Sequence, residues 1–175
     1  MKLMRLGDKG SEKPALWLSD REALDVSSVV EDLDPAFFAG PGTAGLAARV
    51  AATPDLPRID LGAVRVGAPV GRPGKFMAIG LNYSDHARDT GAAIPEQPIV
   101  FAKATSCING PYDDVVLPSN YATVDHEVEL AVVVGHRGRR IARSQALSFV
   151  AGYLICNDVS ERTAQRESKQ WFRAK

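Results

Sequence analysis

The stretch TVDHEVELAVVVG, residues 123–135, carries two glutamates into an otherwise apolar run. Side chains of a β-strand alternate between its two faces, so Glu127 and Glu129 share one face with Ala131 and Val133. The two glutamates are about 7 Å apart along the strand. Past residue 129 both faces are apolar, a pattern typical of a strand buried on both sides. The stretch therefore predicts a core strand that brings two carboxylates to one place.

Two like charges at the edge of a core need compensation, because an unpaired buried carboxylate is strongly destabilising. The residues alone leave three ways open: exposure of the strand end to solvent, pairing with Arg or Lys, or a divalent cation. Asp158 follows a second apolar strand, in GYLICNDVSER, residues 152–162. As a third carboxylate it could complete a site of oxygen ligands, which suits Mg²⁺, Mn²⁺ or Ca²⁺. It could instead be a helix N-cap, a role that Ser160 could also take.

A histidine is the next candidate for chemistry. His86 lies in NYSDHARD, residues 82–89, a turn that enters a short helix directly after the apolar strand KFMAIG, residues 75–80. Asp89 comes three residues later, on the same helical face, and could orient the imidazole. A histidine held by a carboxylate is the usual form of a general base. The alternative is an exposed histidine with no part in a reaction.

The two halves of the chain differ in pattern. Residues 1–70 combine short strand-like segments, among them AVRVG (63–67), with a helix-prone segment at 43–52, and a Gly- and Pro-rich stretch at 66–75 follows. Further strands are predicted at 98–104, at 151–160 and after the turn in GPYDDVVLP, residues 110–118. Strands outnumber helices and seldom alternate with long ones. We therefore expect a mainly β or α+β fold, with a small N-terminal domain over 1–70 and a larger domain over 71–175.

One glycine pattern needs a separate interpretation. GPGTAG, residues 40–45, matches the G-x-G-x-x-G pattern of dinucleotide-binding sites. That fingerprint requires a preceding strand and a βαβ unit, and here Pro41 occupies the turn. We expect a loop that leads into a helix.

Composition narrows the possible partners and the compartment. The 175 residues have a formal net charge of zero, whereas a nucleic-acid or anionic-membrane partner would call for a basic excess. Cys107 and Cys156 form no CxxC pair, and free thiols are typical of a reducing compartment. The N-terminus has no signal-peptide core, and no apolar run is long enough for a membrane helix. These features predict a cytoplasmic protein with neither nucleic acid nor membrane as partner.

Several segments taken together resemble the fumarylacetoacetate hydrolase family. They cover about residues 73–175 in the family's order: GLNYSDHARDTG, PIVFAKATSCINGP, VDHEVELAVVVG, ALSFVAGYLICNDVSER and QWFRAK. The N-terminal MKLMRLG and the stretch SCINGPYDDVVLP are similar to the branch that hydrolyses 2,4-dioxo-3-deoxy sugar acids. The resemblance implies a mixed β-roll catalytic domain that normally continues for roughly a hundred residues past QWFRAK. We therefore expect the chain to be truncated at its C-terminus.

The resemblance also implies roles for individual residues. Glu127, Glu129 and Asp158 would bind Mg²⁺ or Mn²⁺. His86 would be catalytic with an acidic partner, here Asp89 where the family commonly has glutamate, and the shorter side chain could lengthen that contact. The implied residues near the substrate are Lys175, Gln165 and Lys103. Homodimers are common in the family, and the same is expected here.

The resulting hypothesis is a metal-dependent hydrolase that cleaves a carbon–carbon bond in a 2,4-dioxo acid and releases pyruvate or a related 2-oxo acid. The same site could instead serve decarboxylation or keto–enol isomerisation of a 2-oxo acid, because both need a stabilised enolate but no attacking water. A non-catalytic binding module with the same fold is the alternative from another class.

Overall fold

The computed structural model describes residues 1–168 and 170–175 and confirms an α+β protein. The chain divides into two compact units: residues 1–73, 108–116 and 129–156 form the first, and residues 74–107, 117–128 and 157–175 form the second. The expected division into domains over 1–70 and 71–175 stays a prediction. Within the described residues, every helix is too short or too polar to cross a bilayer.

A four-stranded antiparallel sheet forms the framework of the first unit. Its strands follow one another in chain order: β1 (Leu3–Leu6), β2 (Lys13–Trp17), β3 (Glu22–Asp25) and β4 (Arg58–Asp60). The strand predicted over 63–67 is wrong, since that segment forms only a single bridge between Leu6 and Val66. Gly67 and Pro69 follow the bridge, and proline has no backbone N–H with which to extend it into a ladder.

Two helices complete the first unit. Helix α1 (Pro35–Ala39) begins where the Asp34 side chain accepts hydrogen bonds from the backbone N–H groups of Ala36 and Phe37, with proline as the first helical residue. Helix α2 (Gly42–Ala52) starts inside GPGTAG and follows another helix instead of a strand, which confirms the interpretation of that pattern. The core comprises Leu16, Val26, Val30, Leu33, Phe37, Phe38 and Leu46.

The glutamate-bearing stretch forms strand β8 (Val128–Val134), which pairs with β9 (Val150–Asn157). Alternation is as predicted: Val133 packs against the core of the first unit, together with Ala151 of β9. The predicted burial of both faces is wrong, because Leu130, Val132 and Val134 are 48–68% exposed. Apolar composition sets only a tendency to be buried, and the described residues place no second layer over this face.

The second unit is built from short elements. Strands β5 (Phe76–Gly80) and β6 (Ile99–Lys103) form an antiparallel pair, and β7 (Val124–Asp125) pairs with β10 (Ser160–Glu161). Its helices are α3 (Ser84–Asp89) and α4 (Arg162–Glu167). The chain also contains 3₁₀ helices at Thr105–Cys107, Arg143–Phe149 and Trp171–Ala174. The brief strand predicted within 110–118 is wrong, since the residues after the turn are not in a strand.

Candidate active site

The best-buried positions of the second unit are mostly polar. Among its described residues, those less than 9% exposed are three alanines and four residues that are charged or carry a hydroxyl: Lys103, Asp158, Ser160 and Glu161. Charged side chains are rarely this buried unless they are paired. Buried ionisable side chains with charged partners are typical of functional sites, where burial and neighbouring charges adjust their protonation. This part of the second unit is therefore the candidate site.

Asp158 brings two segments of the chain together at this site. It follows β9, and its backbone N–H donates to the carbonyl of Glu127 at 2.9 Å. Its Oδ1 accepts a hydrogen bond from the Nζ of Lys103, the last residue of β6. Both side chains are at most 7% exposed, so this ion pair is shielded from water. This ion pair thus joins the last residue of β6 to the residue that follows β9.

Lys175 links the two carboxylates predicted to act together. Its Nζ lies 2.9 Å from Oε2 of Glu127 and 3.1 Å from Oδ2 of Asp158, and its side chain is 4% exposed. Glu127, Asp158, Lys103 and Lys175, named here the carboxylate–lysine cluster, contain two negative and two positive charges. Of the three forms of compensation considered for Glu127, pairing with basic side chains is the one that the structure shows.

Arg162 is a site residue that the sequence reasoning missed. It is the first residue of α4, and its Nη1 donates to Oε1 of Glu127 and, at 3.1 Å, to Oε1 of Gln165. Its Nε and Nη2 contact Oδ2 of Asp125 at 3.0 and 2.9 Å. The spacing of these residues in the sequence could have indicated the contacts. Arg162 and Gln165 are three residues apart on one helical turn. Asp125 and Glu127 are two residues apart in an extended segment, so their side chains share a face.

The environment of Glu127 favours its ionised form. Burial acts to raise the pKa of this carboxyl, but the hydrogen bond and charge of Lys175 and the charge of Arg162 outweigh burial, so that the pKa lies below its ordinary value. The Oγ of Ser160 lies 3.1 Å from Oε1 of Glu127 and 3.0 Å from the backbone oxygen of Asp158, and its single proton can serve one of them at a time. Glu127 is therefore a half-buried anion in contact with three different side chains.

The N-cap of α4 is not one of the two residues that the sequence suggested for this role. Neither Asp158 nor Ser160 caps this helix: the side chain of Glu161 accepts from the backbone N–H of Ala164 at 2.6 Å. Glu161 also accepts from the backbone N–H of Thr123, at 3.2 Å. These hydrogen bonds, first that from Ala164 and then those from Thr123, lower the pKa of Glu161. Because Glu161 takes the capping role, the carboxylate of Asp158 is free to face the lysines.

Two of the predicted site residues, His86 and Asp89, show no contact with the cluster within residues 1–168 and 170–175. His86 and Asp89 both lie exposed on α3, and no hydrogen bond between their side chains is present there. Glu129 lies two residues beyond Glu127, on the same half-buried face of β8. The roles of His86, Asp89 and Glu129 stay predictions, whereas Gln165 reaches the site through Arg162.

The cluster offers the ligand chemistry of a hard divalent cation. Carboxylate oxygens are the donors that Mg²⁺ and Mn²⁺ prefer, and two of the three predicted ligands share one ammonium group as a neighbour. In the part of the chain that the structure describes, no three His, Cys, Asp or Glu side chains are arranged to hold an ion. Two carboxylates, Glu127 and Asp158, thus have the donor chemistry that Mg²⁺ or Mn²⁺ requires, and a cation would have to displace Lys175 from both.

Comparisons of sequence and of structure with known proteins both give matches to fumarylacetoacetate hydrolases and similar enzymes. The family model for the fumarylacetoacetate (FAA) hydrolase C-terminal domain matches residues 75–175. A 2,4-didehydro-3-deoxy-L-rhamnonate hydrolase of Sphingomonas sp. is 44% identical over all of this chain and 59% of its own length. The fumarylacetoacetate hydrolase of Exiguobacterium antarcticum has a TM-score of 0.79 at 30% identity, with 100% of this chain and 61% of that chain covered. A 5-carboxymethyl-2-hydroxymuconate delta-isomerase of Mycobacterium smegmatis has a TM-score of 0.73 at 29% identity, with 100% and 61% covered. The chain thus spans about three fifths of the length of these proteins.

Proposed function

The chain belongs to the fumarylacetoacetate hydrolase family, and we propose that it is the part of a metal-dependent hydrolase that cleaves a carbon–carbon bond in a 2,4-dioxo acid. The products would be pyruvate, or a related 2-oxo acid, and a second acid. The observation that carries this proposal is the buried carboxylate–lysine cluster, in which anionic and cationic groups converge on one point of the second unit. The similarity to a hydrolase of a 2,4-didehydro-3-deoxy sugar acid supports the substrate class.

A divalent cation would have Glu127, Glu129 and Asp158 as ligands. Bound there, Mg²⁺ or Mn²⁺ would polarise the oxygens of a 2-oxo acid as a Lewis acid. The remaining chemistry belongs to the side chains of this chain. Lys103 and Arg162 hold Asp158 and Glu127 in place, and both of these basic groups are themselves fixed by further contacts or burial.

The hydrolytic step would begin at His86, which takes a proton from water. The resulting hydroxide adds to the distal carbonyl, the bond between carbons 3 and 4 breaks, and its electron pair remains on the departing three-carbon fragment as an enolate. The ammonium group of Lys175 would stabilise that enolate electrostatically. Protonation of the enolate carbon then gives pyruvate. Asp89 would orient His86 through its imidazole.

A second candidate chemistry is decarboxylation or keto–enol isomerisation of a 2-oxo acid. It is favoured by one specific observation: His86 is exposed on α3, and within the described residues its side chain makes no hydrogen bond with Asp89. Both reactions need a stabilised enolate but no attacking water. Product analysis separates them, since hydrolysis gives two carbon fragments, decarboxylation gives one fragment and carbon dioxide, and isomerisation gives a single product.

The chain spans about three fifths of the length of its relatives. The first test therefore measures ligand binding instead of turnover. The thermal unfolding midpoint is followed with Mg²⁺ or Mn²⁺, with and without oxalate, which imitates the enolate of pyruvate. A ligand that binds the native state raises this midpoint. We expect a rise with the cation, a further rise with oxalate, and the loss of both in Glu127→Gln.

The matched control for this test is Glu96→Gln, an identical chemical change at an exposed position. It should respond as the unaltered chain does. An equal response in Glu127→Gln would rule out the proposed cation site. A complete absence of response to cation and oxalate in the full-length protein would favour a non-catalytic binding module.

A further inference from the structure

Lys175 directly follows a short element, the 3₁₀ helix Trp171–Ala174. The hydrogen bonds of a 3₁₀ helix have poorer geometry than those of an α-helix, so four such residues depend on packing for their position. Ala174 is buried and Trp171 is half-buried, whereas the two residues between them are exposed. The packing of Trp171 therefore bears on where the side chain of Lys175 begins.

Trp171 packs against the antiparallel pair of β5 and β6. Its ring meets that of Phe101 edge to face, with centroids 5.4 Å apart and an interplanar angle of 77°. It also lies against the backbone of Gly80, the last residue of β5, where an added Cβ would be 2.5 Å from the indole ring. Non-bonded carbon atoms prefer separations of about 3.5–4.0 Å. The observed position of the indole thus requires glycine at position 80.

Phe101 connects this packing to the carboxylate–lysine cluster. The Nζ of Lys175 lies over the Phe101 ring, 5.5 Å from its centroid, which is within the range of a cation–π interaction. The same Nζ contacts Glu127 at 2.9 Å and Asp158 at 3.1 Å. The ring is therefore an attractive neighbour that the ammonium group keeps even when its contacts with the carboxylates are given up to a cation.

We propose that Trp171, held by Gly80 and Phe101, is a positioning residue that keeps the ammonium group of Lys175 at the carboxylate–lysine cluster. This inference rests on the proposed function, which gives Lys175 its part in the chemistry. Gly80, Phe101 and Trp171 are named here the aromatic anchor. Without a cation, the anchor places Lys175 in contact with the two carboxylates. With a cation bound, it keeps the displaced ammonium group beside the enolate, where its charge is needed.

The two tasks of the anchor predict opposite effects when it is disturbed. A poorly placed Lys175 competes less well with a cation for the carboxylates, so the affinity for Mn²⁺ should rise. The same side chain stabilises an enolate less well, so the affinity of the Mn²⁺-loaded protein for oxalate should fall. A general loss of structure at the site would lower both affinities together. The opposite signs therefore distinguish positioning from a merely structural role.

Gly80→Ala in the full-length protein is the first test, because the added methyl group displaces the indole. It should raise the affinity for Mn²⁺ about threefold and lower that for oxalate about tenfold. Electron paramagnetic resonance follows the Mn²⁺ titration, and isothermal titration calorimetry follows oxalate binding to the Mn²⁺-loaded protein. Gly74→Ala is the matched control in the same unit, since a Cβ there would meet no atom within 4 Å. It should change neither affinity.

Phe101→Leu tests the anchor without adding an atom to the backbone at Gly80. Phe101 is half-buried, and leucine keeps an apolar side chain but removes the ring beneath the ammonium group. This variant should change both affinities in the same directions as Gly80→Ala. Phe172→Leu is its matched control, because Phe172 neighbours Trp171 but is 55% exposed. It should leave both affinities unchanged.

A Lys175→Met background shows whether the anchor acts through Lys175. In that background Gly80→Ala and Phe101→Leu should have no further effect on either affinity, because the side chain that they position is gone. Interacting residues give such non-additive effects, whereas independent residues give additive ones.

The outcomes separate this inference from the proposed function. If the unaltered protein binds neither Mn²⁺ nor oxalate, the proposed function is overturned and the anchor's role with it. If both bind but Gly80→Ala and Phe101→Leu change neither affinity, or lower both, the role of the anchor alone is overturned. Full effects of these variants in the Lys175→Met background would overturn it as well.

Discussion

Lys175 stands at the centre of the charge balance of the second unit. One ammonium group contacts carboxylates from two segments, Glu127 before β8 and Asp158 after β9, which are themselves joined through their backbones. Each carboxylate has a second basic partner, Arg162 for the first and Lys103 for the second. A divalent cation bound to the same carboxylate oxygens would compete with Lys175 for them.

This competition gives the first prediction. Lys175→Met should lower the free energy of unfolding by about 1.5–3 kcal/mol, because a buried carboxylate, Asp158, and a half-buried one, Glu127, each lose a charged hydrogen-bond donor. The same change should raise the affinity for Mn²⁺, because the ion no longer displaces an ammonium group. Denaturant unfolding measures the first quantity, and Mn²⁺ titration followed by electron paramagnetic resonance measures the second.

Lys75→Met is the control for this pair of measurements, since Lys75 is exposed. It should alter neither quantity. A Lys175→Met chain that is destabilised but binds Mn²⁺ no more tightly than the unaltered chain would show that Lys175 does not compete with the ion.

At the scale of elements, the N-cap of α1 stabilises a short helix that carries two core residues, Phe37 and Phe38. Asp34 accepts from the backbone N–H groups of Ala36 and Phe37, both at 3.0 Å, and the five-residue helix buries Phe37 and Phe38. So short a helix is not stable by its own hydrogen bonds and depends on its cap and on packing. Position 34 is therefore a sensitive point of the first unit.

Asp34→Ala should lower the free energy of unfolding by about 1 kcal/mol, because two backbone donors lose their acceptor. Asp34→Asn keeps an acceptor oxygen and should retain most of the stability. Denaturant unfolding at neutral pH measures both variants. Equal losses in the two variants would mean that the charge of Asp34, which also faces Arg72 at 3.3 Å, matters more than the cap.

The segment 108–116 is attached to the first unit by an ion pair whose strength depends on pH. The hydrogen bonds from Arg65, and then that from the backbone N–H of Gly110, lower the pKa of Asp113 from 3.8 to about 2. Arg65 Nη1 also contacts Glu12 at 2.9 Å, so the pair is part of a larger network. A carboxyl whose pKa falls on folding stabilises the native state where it is ionised in both states.

The contribution of Asp113 is accordingly full above its ordinary pKa and is lost as the pH falls from 3.8 towards about 2. Asp113→Asn should be less stable than the unaltered chain at pH 6, and the difference should disappear in that acidic window. Denaturant unfolding at a series of pH values provides the measurement. Asp114→Asn, next to it and exposed, should show no such pH-dependent difference.

At the scale of the whole molecule, one exposed surface is strongly apolar. The outward residues of β8 in the first unit include Leu130, Val132 and Val134, which share one face of the strand and are 48–68% exposed. Exposed apolar surface of this kind favours association, particularly on a two-stranded sheet. Self-association through this surface is the expectation that we connect with the proposed homodimer.

The double variant Leu130→Lys/Val134→Lys should lower the apparent mass of the chain in sedimentation velocity at micromolar concentrations, because two charges on the same face would have to lose their hydration on association. Val116→Lys adds a charge at a position that is 89% exposed and lies outside β8 and β9, and it should leave the mass unchanged. An unaltered chain that is monomeric at all concentrations would contradict the expectation.

Much of the local structure is predictable because it depends on neighbours in the sequence. The alternation of Glu127 and Glu129 with apolar residues, the helix in GPGTAG and the turn into α3 all follow from periodicity and capping within a few residues. The strands expected within 63–67 and 110–118 are not formed, because a strand depends on residues that are distant in the sequence. A strand needs a partner ladder, and short apolar segments do not encode one.

The sequence by itself determined where the acids lie: two at the start of one strand, and one after a second strand. Only the tertiary structure decided what neutralises them, because the partners are remote along the chain. Lys175 is 48 residues from Glu127, and Lys103 is 55 from Asp158. Periodicity reports which face a side chain takes, but an ion pair depends on distance in space and on exclusion of water, which arise when the segments pack together.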